Sequence, residues 1–443
     1  MTETLQLCVP TFTGVPSDAT SPMSCADDTL SLAWPVMTID FRTRDDVDVE
    51  TIDVADFFGS QLPRLAAERS ALAVPGAREL GVRPFTIETT AGTWTLSVND
   101  DGVRVHPGGA GHAAVRLDAD EITDIVHDRR TPMTLLAAAT LDMRSGDIND
   151  FLDWWVVLRS LLDLRAVHTA GDVTFTDRDG GPLDLQRSFR VDDEPAELAY
   201  YLGEAGYLHL TEVFTTDEMA QVSADIDAAL PRYDDGDGRS WWATTADGEA
   251  RAVRLQRFQE ESLATATLLQ DNRLLRLASL SGDGHVPRDQ GGNKIEALVK
   301  PIGVVKGISD LPWHKDCSLG RHSSRCCSLT VGISVTGADE RSGQLGVVAG
   351  SHRALVQPAF FRGSWKLPTV PLPTRAGDVT VHCSCTLHMS HAPVERERRV
   401  MYTDFVLPPR AGDDPAPSSA GAIDRVRERA YKVVSQVPSA ARP

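Results

Sequence analysis

A histidine and an aspartate two residues apart, His314 and Asp316, set the tightest limit on what this chain can fold into. On an extended strand, residues i and i+2 share one face, so both side chains can approach a single ion. His388 lies far enough along to come from a different strand. Arg399 follows it by eleven residues, far enough to come from the next strand and aim a guanidinium into the same cavity. Two imidazoles and one carboxylate on one triangular side of an octahedron, with the opposite positions open, make a non-haem Fe(II) arrangement. The stretches 328–335, 344–348, 379–381 and 400–405 read as sheet strands with few helices among them. That pattern predicts a double-stranded β-helix, a jelly roll, with helices packed outside it.

The surrounding residues add detail. Ser342-Gly-Gln-Leu-Gly-Val-Val-Ala-Gly-Ser-His352 precedes the distal histidine, and Gly377-Asp-Val-Thr-Val-His382 leads into it. Gly206-Tyr207 and Phe214-Thr-Thr-Asp-Glu218 open the same stretch, the latter as a capping box. With these residues the sequence resembles the phytanoyl-CoA dioxygenase family of Fe(II)/2-oxoglutarate oxygenases, whose pattern is H-x-D, a distal His, then an Arg about eleven residues on. The resemblance covers roughly 196–408, about half the chain. It implies Fe(II), 2-oxoglutarate and O2 as metal and co-substrates, with His314, Asp316 and His388 as the catalytic metal ligands. It implies Arg399 as the partner of the far carboxylate of 2-oxoglutarate, Ser390 as an added hydroxyl contact, and Arg254 as a cation near the co-substrate. Alternation would turn Arg398 away from the site. His391 competes with His388, but its spacing to Arg399 is only eight. His382 receives no role. Gly332 stands where the family often carries a bulky aromatic, which would widen the pocket. Halogenating relatives replace the acid by a small residue, so the retained Asp316 favours hydroxylation, desaturation or epoxidation.

Composition narrows the partners. The formal net charge of −19 argues against nucleic acid or an anionic membrane surface. No apolar run approaches the roughly 18 residues that a membrane span needs. The start has no basic stretch followed by an apolar core, so no secretory signal is expected, and the cytoplasm is the expected location. The seven cysteines form no disulfide framework. Cys326-Cys327 and Cys383-x-Cys385 would need a second correctly spaced pair to hold zinc or an iron–sulfur cluster, and they read instead as reduced thiols packed as small hydrophobes.

The chain divides into an arm (1–45, with one strand at 36–41), an α/β unit (46–175), a polar linker (176–195), the oxygenase domain (196–410) and a tail (411–443) with a helix at 423–434. In the α/β unit the periodicity predicts a helix over 53–67, strands at 85–88, 94–98, 103–105 and 114–117, and helices opening at Asp118 and over 135–141 and 151–164. The W-x-L-x-V strand, the A-x-V-x-L strand running into an acidic helix start, and the apolar helix after Gly146-Asp147 resemble the sterol-carrier-protein-2-like α/β sandwich. That resemblance implies an apolar tunnel for lipid, whereas Trp154, Trp155, Val156, Val157 and Leu158 taken singly also suit a plain core. The fold class expected is therefore two-domain α+β. The function expected is oxidation of an unactivated C–H in a hydrophobic small molecule such as a lipid, terpenoid or natural-product intermediate. The competing reading is a lipid carrier with an inert barrel. Oligomeric state is not set by the sequence.

Overall fold

The computed structural model describes residues 51–407 except 139, 283, 290–291, 308–309 and 320–327. The expected arm with its strand, the Cys326-Cys327 pair and the tail helix lie outside the described residues.

The first helix runs on to Leu62–Leu80, well past the expected end at 67. Its second half buries Ala73, Gly76 and Ala77, residues too small to give an apolar period. The smallness has a use: a Cβ on Gly76 would sit 2.3 Å from a methyl of Val167. Gly81, at φ +68°, then ends the helix in the left-handed conformation that glycine adopts freely. Strands β1 (Phe85–Glu88), β2 (Thr93–Asn99), β3 (Gly102–Pro107), β4 (Ala113–Arg116) and β5 (Asp142–Ser145) form a sheet in the order β3-β2-β1-β4-β5. β5 escaped the sequence reading because it is polar and mostly exposed. The helices Ala119–Val126 and Ile148–Asp163 both start with capping boxes, Asp118 with Glu121 and Asp147 with Asp150.

Every residue from Phe151 to Leu162 is buried. A helix buried on every face must be enclosed on all sides. One side meets its own sheet. The other meets Val348, Leu355, Val356, Trp365 and Leu387 from the second half of the chain, within one apolar cluster. The apolar cavity lined by Phe57, Phe58, Ile87, Leu117, Phe151 and Leu162 measures about 20 Å³, room for roughly one water. Stacked Phe58–Trp94 and Phe85–Phe151 pairs fill the rest, and the Trp154 indole N–H donates to the Arg83 carbonyl at 2.6 Å. The bland reading of those tryptophans is the one the packing supports.

Polar contacts cross the same seam. Arg362 donates to Asp153 and to the Leu80 carbonyl. His168 meets the Trp365 carbonyl at 3.0 Å, and Arg165 donates to that of Arg353. Burial pushes the Asp153 carboxyl up to about 6, against the pull of Arg362. The folded chain therefore holds this proton more tightly than the unfolded one, whose aspartates titrate near 4. Stability from this group is greatest below about pH 4 and declines as pH rises through about 6. Asp153→Asn is expected to remove that decline, so the melting temperature of the variant relative to the parent should rise between about pH 4 and pH 8. A flat difference across that range would refute it.

The expected linker is ordered. Thr176 and Pro182 form a bridge, and Phe189 pairs in parallel with Leu210 and is buried. Beyond it come β6 (Tyr207–Leu210), β7 (Ser240–Thr245), β8 (Ala250–Leu255), β9 (Val286–Pro287), β10 (Glu296–Lys300), β11 (Val304–Lys306) and β12 (Leu311–His314). They are followed by β13 (Ser328–Ser334), β14 (Leu345–Val348), β15 (Thr369–Leu372), β16 (Val379–Cys383), β17 (His388–Ser390) and β18 (Arg398–Val406). The larger sheet has the order β11-β7-β8-β10-β18-β13-β16-β6, with β9 also on β18. The smaller sheet has the order β12-β17-β14-β15. Side chains of the two sheets meet across the space between them, as a jelly roll requires. Helices such as Thr216–Ala229 cover the outer face of the larger sheet, against Met401 and Phe405.

Candidate metal centre

His314 is the last residue of β12, and the chain turns at once into the 3-10 segment Asp316–Leu319. The pair therefore does not share a face of one strand, as alternation alone suggested. The turn brings the two together instead, with His314 Nε2 3.2 Å from Asp316 Oδ1. The residue between them, Lys315, points the other way and is buried, its Nζ donating to the Ser351 carbonyl at 2.8 Å. His388 opens β17 directly opposite His314. Its Nε2 lies 3.6 Å from the same Asp316 oxygen, and the two imidazole centroids are 4.2 Å apart. One ligand atom from each of the three residues falls within 4.8 Å of the others.

The backbone sets the tautomers. His314 Nδ1 donates to the Pro312 carbonyl at 2.8 Å and His388 Nδ1 to that of Thr386 at 2.9 Å. A carbonyl can only accept, so Nδ1 carries the proton in both rings, and Nε2 is the ring nitrogen that each turns toward the carboxylate. The other carboxylate oxygen, Oδ2, accepts from Thr330 at 2.9 Å and lies 3.5 Å from His382 Nε2. Thr330 and His382 are cross-strand partners on β13 and β16. His382, given no role from sequence, thus flanks the cluster, its ring 4.2 Å from that of His388. His391 is not among the three clustered residues. Burial pushes the Asp316 carboxyl up, but His388, His314 and His382 outweigh it and hold it well below the usual carboxylate range. Its side chain remains 33% exposed, so the cluster is open on one side to small molecules. Imidazole and carboxylate donors with an open side suit Fe(II).

A second group lies on the inner face of the larger sheet. Lys300 and Arg398 are directly opposed on β10 and β18, and both are buried. Lys300 Nζ donates to Ser390 Oγ. Arg398 donates to the Gly343 carbonyl at 2.7 Å, to Ser390 Oγ at 3.3 Å and to the Tyr402 hydroxyl at 3.3 Å. Burial, then the neighbouring Arg398, hold the Lys300 ammonium well below its usual range, while Asp310 pulls the other way. A buried lysine and a buried arginine side by side make the corner suited to an added carboxylate, whose charge would favour the protonated lysine. Lys300 is close enough to disfavour a charged His314, so this corner adjoins the cluster.

Two expected site residues are corrected here. Arg399 points outward, not into the cavity: its guanidinium bonds to Ser223, Asp227 and Glu397. The neighbour expected to turn away, Arg398, is the one that faces inward. Arg254 lies on the inner face, opposite Leu298, but its guanidinium is taken up by buried Glu296 and sits over the Trp241 ring at 5.1 Å. It is not a free cation for a co-substrate. Ser390 lies between Lys300 and Arg398.

Gly332 does not widen the pocket. A Cβ there would lie 2.8 Å from Thr380 Oγ1 and 2.9 Å from Tyr402 Cε1. Tyr402 supplies from the neighbouring strand the ring that Gly332 lacks. Gly332→Ala should displace that ring, loosen Arg398 and destabilise the fold by about 1–3 kcal/mol. Thermal unfolding and a 2-oxoglutarate titration would check both effects, and unchanged values in both would refute them.

Residues 202–400 match the phytanoyl-CoA dioxygenase (PhyH) family, and the stretch contains the His-Asp-His cluster and Arg398. Enzymes of that family use non-haem iron and 2-oxoglutarate. No curated protein matches the chain. Among solved structures, the chain is similar to the non-haem α-ketoglutarate-dependent epimerase SnoN from nogalamycin biosynthesis, at 24% identity over 48% of this chain and 82% of that one, TM-score 0.40. It is similar to EctD from S. alaskensis with 2-oxoglutarate and 5-hydroxyectoine, at 21% identity over 53% and 84%, TM-score 0.40. It is also similar to the carbocyclase SnoK from nogalamycin biosynthesis, at 21% over 50% and 87%, TM-score 0.38. No helix among the described residues is long and apolar enough to cross a membrane.

Proposed function

We propose that this chain is an Fe(II)- and 2-oxoglutarate-dependent dioxygenase that oxidises an unactivated C–H of a small molecule. The observation that carries the reading is the pair of imidazoles whose Nδ1–H groups are spent on backbone carbonyls, so that both Nε2 atoms converge on one oxygen of Asp316. His314, Asp316 and His388 would hold the metal. When bound, iron with 2-oxoglutarate and O2 supplies an oxidant able to take hydrogen from carbon.

The protein's share is binding and orientation. Thr330, with His382 beside it, holds Asp316 Oδ2, leaving Oδ1 toward the two Nε2 atoms. Lys300, Arg398 and Ser390 bind the far carboxylate of 2-oxoglutarate, where a guanidinium gives a directional charge-assisted bond. Retention of Asp316 favours hydroxylation or a related oxidation. The inner wall opposite the cluster combines Trp241, Leu298 and Val400 with the Arg254–Glu296 pair and Tyr402. That mixture supports a guest with an apolar body and hydrogen-bonding groups rather than a bare hydrocarbon. A lipid carrier with an inert barrel draws no support from the filled core around Trp154 and Trp155.

Anaerobic addition of Fe(II) and 2-oxoglutarate to the metal-free protein tests the reading. A visible metal-to-ligand charge-transfer band should appear, and O2 should then release succinate and CO2. Folded protein that shows neither would end it.

A further inference from the structure

The turn that carries Asp316 is held from two directions. From the barrel, the Lys315 N–H donates to the Pro358 carbonyl and the Cys317 N–H to that of Ser384. The Ser318 hydroxyl closes back on the Lys315 carbonyl at 2.6 Å. The Ser318 carbonyl, in a fully buried residue, instead accepts hydrogen bonds from the N-terminal α/β layer. Thr131 Oγ1 donates to it, and Thr134 Oγ1 donates at 3.1 Å. These bonds span more than 180 residues of sequence.

The two threonines are themselves fixed. Thr131 is fully buried and opens the helix Pro132–Ala138, its carbonyl accepting from the Thr134 and Leu135 N–H groups. Just before it, Asp128 stands at φ +55°, 3.3 Å from Arg159. Arg159 is 1% exposed and donates to the carbonyls of Ile125 and Val126 at 3.0 Å each, and to Asp163. A buried guanidinium with this many fixed partners is a rigid post. On the other side of the ligating triplet, Trp313 packs on the apolar cluster that the two halves of the chain share, and against Phe361. The layer thus grips the chain just after Asp316, at Ser318.

We infer that the N-terminal α/β layer is a positioning element of the metal centre, with Thr131 and Thr134 setting the Asp316 turn through the Ser318 carbonyl. The role assigned to that turn rests on the dioxygenase reading, but the clamp itself is a property of the metal-free fold. Outer partners that orient a ligand typically govern metal affinity by about 10–100-fold. In the full-length protein, Thr131→Val with Thr134→Val removes both donors at nearly constant shape, and Thr131→Ser with Thr134→Ser restores them.

Two readouts decide. Hydrogen exchange in the metal-free protein should quicken across 313–319 in the valine variant and return to the parent rate in the serine variant. Fe(II) affinity, measured without co-substrate or turnover, should fall about tenfold and recover likewise. A lower melting temperature with unchanged exchange in 313–319 and unchanged Fe(II) affinity would overturn the inference, because it would mean mere structural support. If the parent binds no Fe(II), the dioxygenase reading fails while the exchange measurement still decides the clamp. Should the double variant not fold, Thr131→Val alone against Thr131→Ser carries the same comparison.

Discussion

His314→Ala abolishes Fe(II) binding and, with it, 2-oxoglutarate turnover. The variant should still fold, because His314 ends a strand at the rim and its Nδ1 bond is to a carbonyl only two residues away. Losing a direct ligand should weaken Fe(II) by well over the roughly 10–100-fold that loss of an outer partner costs. Thr330→Val gives the internal scale: it removes the hydroxyl that donates to Asp316 Oδ2 while leaving every metal ligand in place, so its loss should lie inside that window. Fe(II) titration of both variants beside circular dichroism is the check. Parent-like Fe(II) affinity in folded His314→Ala would remove the metal centre from this place.

Arg398→Ala weakens 2-oxoglutarate far more than Arg399→Ala does. Truncating one member of a buried charged contact typically costs about 2–5 kcal/mol, or roughly 30- to several-thousand-fold in Kd. Lys300 remains to hold part of the charge, which puts the expected loss toward the lower end. Arg398→Lys should recover only part of it, since a point charge does not reproduce the planar fork. Arg399→Ala should leave 2-oxoglutarate affinity alone and cost a small amount of stability, because it removes partly exposed contacts to Ser223, Asp227 and Glu397 on the outer side of the sheet. Anaerobic calorimetric titration of the iron-loaded variants separates the two. The reverse ranking would return the anchor to Arg399.

The contrast between these two arginines shows where the sequence stopped being informative. The spacing from His388 pointed to the right turn of chain but not to the right parity. β18 lies in the middle of the larger sheet and is buried on both faces, so its inward row (Arg398, Val400, Tyr402, Asp404) looks no more apolar or polar in outline than its outward row (Arg399, Met401, Thr403, Phe405). Alternation separates two faces without saying which one is the inside. The usable signal was the partner strand: Lys300 ends β10 opposite Arg398, and two cationic side chains side by side on one face suit an anion. His314, Asp316 and His388 were legible because metal ligands are few in kind and their spacing is unusual. Thr330 and His382 were not, since a threonine and a histidine on a strand have many ordinary uses. The N-terminal strands and capped helices were also legible from turn and cap residues. Their relation to the barrel was not: the Thr131 and Thr134 contacts with Ser318 carry no local pattern.

The shared apolar cluster at the seam also bears on solubility. A barrel separated from residues 51–175 would turn Val348, Leu355, Val356, Trp365 and Leu387 toward water as one contiguous patch. Patches of that kind draw copies of a chain together. The α/β layer covers these residues, so a barrel truncated of it should be recovered as aggregate even where every proposed iron ligand is intact.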